Sequence, residues 1–245
     1  MKKLKTFKHS GDLGDIIFSL PVMIENGGGV LYLDPQGGEK ESLVSWGPYN
    51  KTKLTKSSIE NLKPLLEKQK YIHEVRLWEP GIEIDFNLDK FRKHIKHNNL
   101  TASHFDAFDM LDRLDRWQDK PWLRVTPKEL PEGKKIILAR SCRYHANFSF
   151  WEQLSDDYIN SAVFVSLPKE FDYFLYTFPR YAGKIERLDT DSISDLAAYI
   201  QGCDLFIGNQ GFPHAIAEAM KKNMINEAYK TYPSCIYKRA NVQYV

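Results

Sequence analysis

Apolar positions along the chain fall into two series, each opening with a short strand and a turn. The first, Lys3-Leu4-Lys5-Thr6-Phe7-Lys8, alternates poorly because lysines interrupt it. It is followed by the glycine turn His9-Ser10-Gly11-Asp12-Leu13-Gly14 and by the apolar stretch 15–20. Strand, glycine turn and helix are the opening of a βαβ unit. Pro21 is expected to bend or end that helix. Gly27-Gly28-Gly29 breaks the chain, and Val30-Leu31-Tyr32-Leu33 reads as a short buried strand. Residues 35–56 show no period and carry Gly37, Gly38, Gly47 and Pro48; irregular loops of such length are usually functional or mobile. The pattern then predicts a helix over 57–69 with Ser57 or Ser58 as cap, despite Pro64. Strands follow over 72–77 and 82–87, then an amphipathic helix over 103–116 with Phe105, Phe108 and Leu111 in the 3–4 rhythm.

Residues 119–134 hold Pro121, Pro127, Pro131 and Gly133 and form the candidate linker. The second series follows: strand 135–139, helix 150–158, strand 162–167, helix 169–178, a capping box at Ser192–Asp195 before a helix, strand 204–208, and a helix from Pro213 to about 222. The order β, α, β, α, α, β, α predicts an open, mainly parallel sheet. The expected organisation is two Rossmann-like domains, 1–125 and 126–245, with the C-terminal tail packing back on the first. The ligand is expected in the cleft between them.

Composition narrows this only slightly. The chain has 245 residues, 42% hydrophobic and 27% charged, which is ordinary globular material with enough apolar mass for two cores. Lys and Arg total 34 against 32 for Asp and Glu, a formal charge of +2 that does not mark a nucleic-acid binder. No signal peptide and no membrane-spanning run is read. Cys142, Cys203 and Cys235 are odd in number and far apart, which fits reduced thiols and a cytoplasmic setting.

Three segments carry candidate chemistry. Asp15 falls at a helix start, where the dipole stabilises a carboxylate; either it or Asp12 simply caps the helix, or Asp15 is a general base toward a hydroxyl. The turn lacks the GxGxxG spacing of a dinucleotide site. Gly208-Asn209-Gln210-Gly211-Phe212-Pro213-His214 joins a strand to a helix with Pro at its first position, so free N–H groups and the helix dipole point at one spot. That is a phosphate site or an ordinary βα turn. Arg140-Ser141-Cys142-Arg143-Tyr144-His145 follows a strand directly. Its arginines suit a diphosphate, or they belong to a solvated loop. Asp189-Thr190-Asp191 and Asp156-Asp157 are read as turn carboxylates rather than metal ligands. His94, His97 and His104 lack a completing ligand for zinc. Phe171, Tyr173, Phe174, Tyr176 and Phe178 are read as packing.

HSGDLGDIIFSLP and CDLFIGNQGFPHAIAEAM resemble the N- and C-terminal motifs of glycosyltransferase family 9, the heptosyltransferases, in a short, divergent branch. VFVSLPKEFDYF and NEAYKTYPSCIYKRANVQY add to the likeness, while the middle of the first half matches little. The resemblance implies a GT-B-like α/β architecture, no essential metal, no cofactor beyond a nucleotide-sugar co-substrate, and an inverting reaction. It places Asp15 as general base, with Asp12 and Leu13 beside the acceptor. Gly14, Asn209, Gln210, Gly211 and His214 fall on the donor side. So do Arg140, Ser141, Arg143 and Tyr144, and Leu167, Pro168 and Glu170 near the nucleoside. Asn209 stands where the family commonly has Asp.

The expected function is transfer of a sugar from a nucleotide sugar to an acceptor hydroxyl, the acceptor being a cell-surface glycan such as a lipopolysaccharide core. A second reading is a compact viral-type enzyme acting on hydroxylated DNA bases, with Lys40, Lys51, Lys53 and Lys56 meeting phosphates. A non-catalytic sugar-nucleotide-binding module and a sugar-nucleotide epimerase are also compatible with the motifs.

Overall fold

The computed structural model describes residues 3–35, 54–95, 97, 99–229, 231 and 234–245. The chain divides into two compact units, Met1–Arg124 and Val125–Val245.

In the first unit, β1 (Lys5–His9), β2 (Gly29–Leu33), β3 (Ile72–Leu77) and the two-residue β4 (Phe86–Asn87) form a sheet in the order β3-β2-β1-β4. All of its pairs are parallel. Between the strands run α1 (Leu13–Glu25) and α2 (Lys56–Glu67), and after β4 a 3-10 turn (Leu88–Lys93) and α3 (Leu100–Asp106). The α1 to β2 turn needs its glycines: a Cβ at Gly28 would lie 2.2 Å from the Tyr71 carbonyl oxygen and one at Gly29 2.0 Å from that of Lys5. Both positions also have positive φ.

The structure corrects four local expectations here. Pro21 does not end α1, which runs four residues further. Proline deprives the Ile17 carbonyl of its usual helical donor. The Trp122 indole N–H donates to that carbonyl at 3.0 Å, and Thr101 Oγ1 donates to the next one, on Phe18. The cap of α2 is Thr55, which exchanges hydrogen bonds with Ser58; Ser57 and Ser58 lie inside the helix. The helix expected over 103–116 is α3 followed by a separate 3-10 turn (Leu111–Trp117). Asn99 accepts the Ala102 N–H and starts α3 early, and Asp109 turns left-handed at φ 55° after its end. Of the strand expected over 82–87 only β4 forms.

In the second unit, β5 (Ile136–Ala139), β6 (Ala162–Phe164), β7 (Leu205–Asn209), β8 (Met224–Glu227) and β9 (Val242–Tyr244) form a parallel sheet in the order β6-β5-β7-β8-β9. Its helices are α4 (Phe148–Gln153), α5 (Asp156–Asn160), α6 (Pro168–Thr177), α7 (Ile193–Gly202) and α8 (Phe212–Ala219). The helix expected over 150–158 is thus two short ones, separated by Leu154 and Ser155. Trp151, Phe164, Phe174, Phe178 and Tyr181 pack against one face of the sheet, with Phe174 edge-on to Trp151 and Tyr181. Of the aromatic series assigned to packing, Phe174 and Phe178 are buried but Tyr176 is exposed. The C-terminal tail, expected to pack back on the first domain, adds β9 to the second unit's own sheet beside β8.

No described helix is long and apolar enough to cross a membrane. Replacing Trp122 by Phe leaves the buried Ile17 carbonyl without its donor. The expected loss is about 1–3 kcal/mol of stability, read from urea unfolding; an unchanged midpoint would mean that α1 tolerates Pro21 without this bond.

Candidate functional site

In open parallel sheets, ligands bind outside the carboxyl ends of strands, where the strand order reverses direction. The chain steps from β1 outward to β2 and β3, then returns to the other side of β1 as β4. The reversal in the first unit therefore lies between the ends of β1 and β4, at His9–Ser10 and Asn87–Asp89. In the second unit the chain goes from β5 to β6 and returns as β7. The reversal there lies between Arg140–Ser141 and Asn209–Gln210. Each of the two motifs singled out by sequence thus stands at the reversal of its own sheet.

In the first unit, Asp89 ties the two strand ends together. Its carboxylate accepts the Ser10 N–H at 3.0 Å, the Ser10 hydroxyl at 2.8 Å and Arg92 Nη1. Lys8 pairs with Asp34 at 2.8 Å, and its ammonium lies 4.3 Å from the Trp78 ring centre. Asp12 is the N-cap residue of α1, but its side chain makes no capping bond. Asp15 is partly exposed in the first turn, where the helix dipole favours its negative charge.

The second unit is organised by Glu227, at the end of β8. This buried carboxylate accepts Arg140 Nε at 2.9 Å and Nη2 at 3.1 Å, the N–H groups of Ala146 and Asn147, and the Trp151 indole N–H. Burial works to raise its pKa, but Arg140 and the backbone donors prevail and hold it below the usual range. Asn209 clamps the same loop: its Oδ1 accepts the Ser141 N–H at 2.8 Å, and its Nδ2 donates to the carbonyls of Ser141 and Arg143. Gln210 accepts the Tyr229 N–H and donates to Ser234. Tyr144 is held at φ 60°, an unfavourable backbone for a non-glycine residue. Gly211 caps α8 with extended backbone, φ −163°. A Cβ there would meet Ser141 only at an ordinary 3.5 Å, so the fold itself does not demand glycine at this position.

The structure brings Ser141, Arg143, Tyr144, Asn209, Gln210 and Gly211 together around the start of α8. Arg140 is buried rather than in a solvated loop, with its Nε and Nη2 both bonded to Glu227. His214 is buried within α8, and burial with Arg239 nearby lowers its pKa to about 3. Glu170 accepts the Leu167 N–H at the start of α6 while Leu167 is largely exposed. Asp106 lies 2.9 Å from His94 Nδ1 and 3.3 Å from His97 Nε2, a carboxylate that the sequence did not nominate. Even so, among the described residues no group of three or more side chains is placed to hold a metal ion. Asp156 pairs with Arg180 and Lys184, and Asp189 with Arg187. Of the loop lysines, Lys40, Lys51 and Lys53 lie outside the described residues, as do Gly37, Gly38, Gly47 and Pro48; Lys56 begins α2. Sequence reasoning missed His9, Asp89 and Glu227. His9 stood inside a candidate segment, whereas Asp89 and Glu227 carry no local signal.

The fold is an α/β arrangement of the kind found in GT-B-type glycosyltransferases. The crystal structure of the glycosyl transferase family 9 from Veillonella parvula aligns over 100% of this chain and 88% of its own, with 12% identity and a TM-score of 0.63. The E. coli heptosyltransferase WaaC with ADP-2-deoxy-2-fluoro heptose aligns over 98% and 92%, with 11% identity and a TM-score of 0.50. No family model matches the chain, and no curated protein matches it. At such identities the likeness is one of fold, and it agrees with the resemblance carried by the two motifs.

Two outcomes are expected. Glu227→Gln strands the buried Arg140 charge and should cost about 3–5 kcal/mol, read from urea unfolding; a cost under about 1 kcal/mol would mean that Arg140 finds water. Second, burial lowers His9 to about 4, His104 well below its ordinary value, and His214 to about 3. Below pH 6.5 the unfolded chain binds protons that the folded chain refuses, so stability falls as pH drops from 6.5 toward 4. Each histidine contributes up to about 1.4 kcal/mol per pH unit. A urea midpoint that stays level between pH 7.5 and 5 would show that these rings are charged in the folded chain.

Proposed function

We propose that this protein is a glycosyltransferase that moves a sugar from a nucleotide sugar to an acceptor hydroxyl. The observation that carries this reading is the placement of the two motifs. One reversal point presents a carboxylate on the first turn of α1, and the other presents the N-terminus of α8 with Ser141 and Arg143 beside it. The likeness in fold to glycosyltransferases supports it.

In this reading the second unit holds the donor. The diphosphate lies against the N–H groups that open α8, where the dipole favours an anion. Gly211 leaves the space that a phosphate needs to approach the backbone, which gives that glycine a reason the fold does not. Asn209 and Arg140, the latter through Glu227, hold the loop 141–147 in shape. Ser141, Arg143 and Tyr144 face the donor, and Leu167, Pro168 and Glu170 border its nucleoside; Gln210 and His214 support the turn from behind. In the first unit Asp12 and Leu13 flank the acceptor, and Gly14 lies on the donor side.

Asp15 takes the proton from the acceptor hydroxyl as that oxygen bonds to the anomeric carbon. The bond from that carbon to the diphosphate oxygen breaks, and the configuration inverts. The charge released on the diphosphate is met by α8 and Arg143, an electrostatic role that requires no metal. The acceptor class we favour is a glycan.

The test is a thermal-shift screen of ADP, GDP and UDP and their hexose and heptose conjugates, with and without EDTA, followed by transfer assays. One nucleotide sugar should raise the melting temperature by several degrees, insensitive to EDTA, because it binds only the folded chain. Asp15→Asn should then lower transfer about 10²–10⁴-fold with the donor shift intact. Transfer within tenfold of the native rate removes Asp15 from the mechanism. Binding without transfer or donor hydrolysis marks a non-catalytic module instead.

A further inference from the structure

The turn that carries Asp15 rests on two histidines that the proposed transfer does not use. His9, the last residue of β1, is fully buried, and its Nδ1 accepts the Gly11 N–H at 2.8 Å. A neutral imidazole that accepts at Nδ1 carries its proton on Nε2, so the bond exists in one tautomer only. The bond gives the buried Gly11 N–H its acceptor, whereas Nε2 is buried with no hydrogen-bond partner among the described residues.

Gly11 sits between His9 and the carboxylate. A Cβ added there would stand 2.5 Å from His9 Cε1 and 2.8 Å from Asp15 Oδ2. Ring and carboxylate thus both approach Gly11 closely, with no room for a side chain between them. His104 on α3 backs the ring. It too is fully buried, its ring centre lies 5.4 Å from that of His9 and 4.2 Å from that of Phe91, and it faces the backbone of Asp15. The charged groups facing His9 are Asp89, which favours a protonated ring, and Arg92 and Lys8, which oppose one; Arg92 also opposes a charge on His104.

We propose that His9, backed by His104, is a positioning residue: a neutral imidazole of fixed tautomer that holds the Gly11 turn and through it orients the Asp15 carboxylate. The proposal rests on the reading of Asp15 as the base.

Three variants separate orientation from mere filling of space. His9→Asn keeps an acceptor where Nδ1 stands, His9→Gln moves it outward, and His9→Leu removes it. The first readout needs no substrate. In ¹⁵N-histidine spectra at pH 7, His9 should be neutral with its proton on Nε2. Gly11 amide exchange should quicken at least about tenfold in His9→Gln and His9→Leu, but not in His9→Asn. The second readout is release of nucleoside diphosphate from ADP-, GDP- and UDP-hexoses. There kcat should fall on the order of tenfold or more in the same two variants, with KM for the donor within about twofold and His9→Asn within about threefold of native.

A His9 proton on Nδ1, or a charged ring at pH 7, would overturn the proposal. So would a folded His9→Gln that loosens Gly11 yet keeps native kcat. If His9→Leu fails to fold, the Asn and Gln pair decides. If the native protein releases nothing from any nucleotide sugar, the functional reading fails, while the spectra and the exchange rates still decide whether His9 holds the turn.

Discussion

Five hydrogen-bond donors converge on the carboxylate of Glu227, and the candidate donor loop takes its shape from them. A buried carboxylate is costly to desolvate unless it is paired and its remaining lone pairs are filled. Here Arg140 supplies the opposite charge, Ala146 and Asn147 supply backbone donors, and Trp151 supplies an indole. Those partners come from the loop that follows β5 and from α4, so one side chain on β8 fixes two neighbouring pieces of the unit. The strained Tyr144 backbone is sustained between this knot and the clamp made by Asn209. Loss of the carboxylate charge unsettles all of them together, because they share one acceptor.

The two units solve a similar problem with different chemistry. Each must hold a tight turn at the end of its first strand, at the reversal point of a parallel sheet. The second uses a buried ion pair. The first uses a hydroxyl and an N–H of Ser10 on Asp89, together with the uncharged His9 ring on Gly11. A neutral ring adds a hydrogen bond to the turn without adding a charge beside Asp15. An arginine in the place of His9 would hold the carboxylate in a salt bridge and make it a weaker base.

Much of the architecture was legible along the chain because it is local. Strand 72–77, the strand before Ser141, the Ser192 cap and the βα turn at Asn209 are encoded by neighbouring residues, and the parallel sheets follow from their order. Three of the misses share a cause, which is that a distant residue decided the outcome. Pro21 is a helix breaker until Trp122, bonded to a carbonyl 105 positions away, supplies the missing N–H. Arg140 fits a solvated loop until Glu227, 87 positions on, pairs with it in the interior. Asp89 looks like an ordinary turn acid, yet it joins two strand ends. β8, with Asn226 and Glu227 buried at its end, has too little apolar pattern to be seen as a strand. Both motifs were found because glycine and proline punctuate them; their supporting residues carry no such mark.

The proline in α1 also bears on the order in which the first unit forms. A helix with its own complete set of donors can fold alone, before the rest of the chain exists. This one lacks a helical donor for the Ile17 carbonyl, which Trp122 completes, while Thr101 adds a bond to the Phe18 carbonyl. During synthesis α1 leaves the ribosome long before either partner has been made. Its middle turn therefore stays open to water until almost the whole unit has emerged, and the helix closes together with the segment that ends the unit. Contacts of such long range slow folding, but they make it all-or-none: a carboxylate on the first turn of α1 is set in place only when the entire unit is.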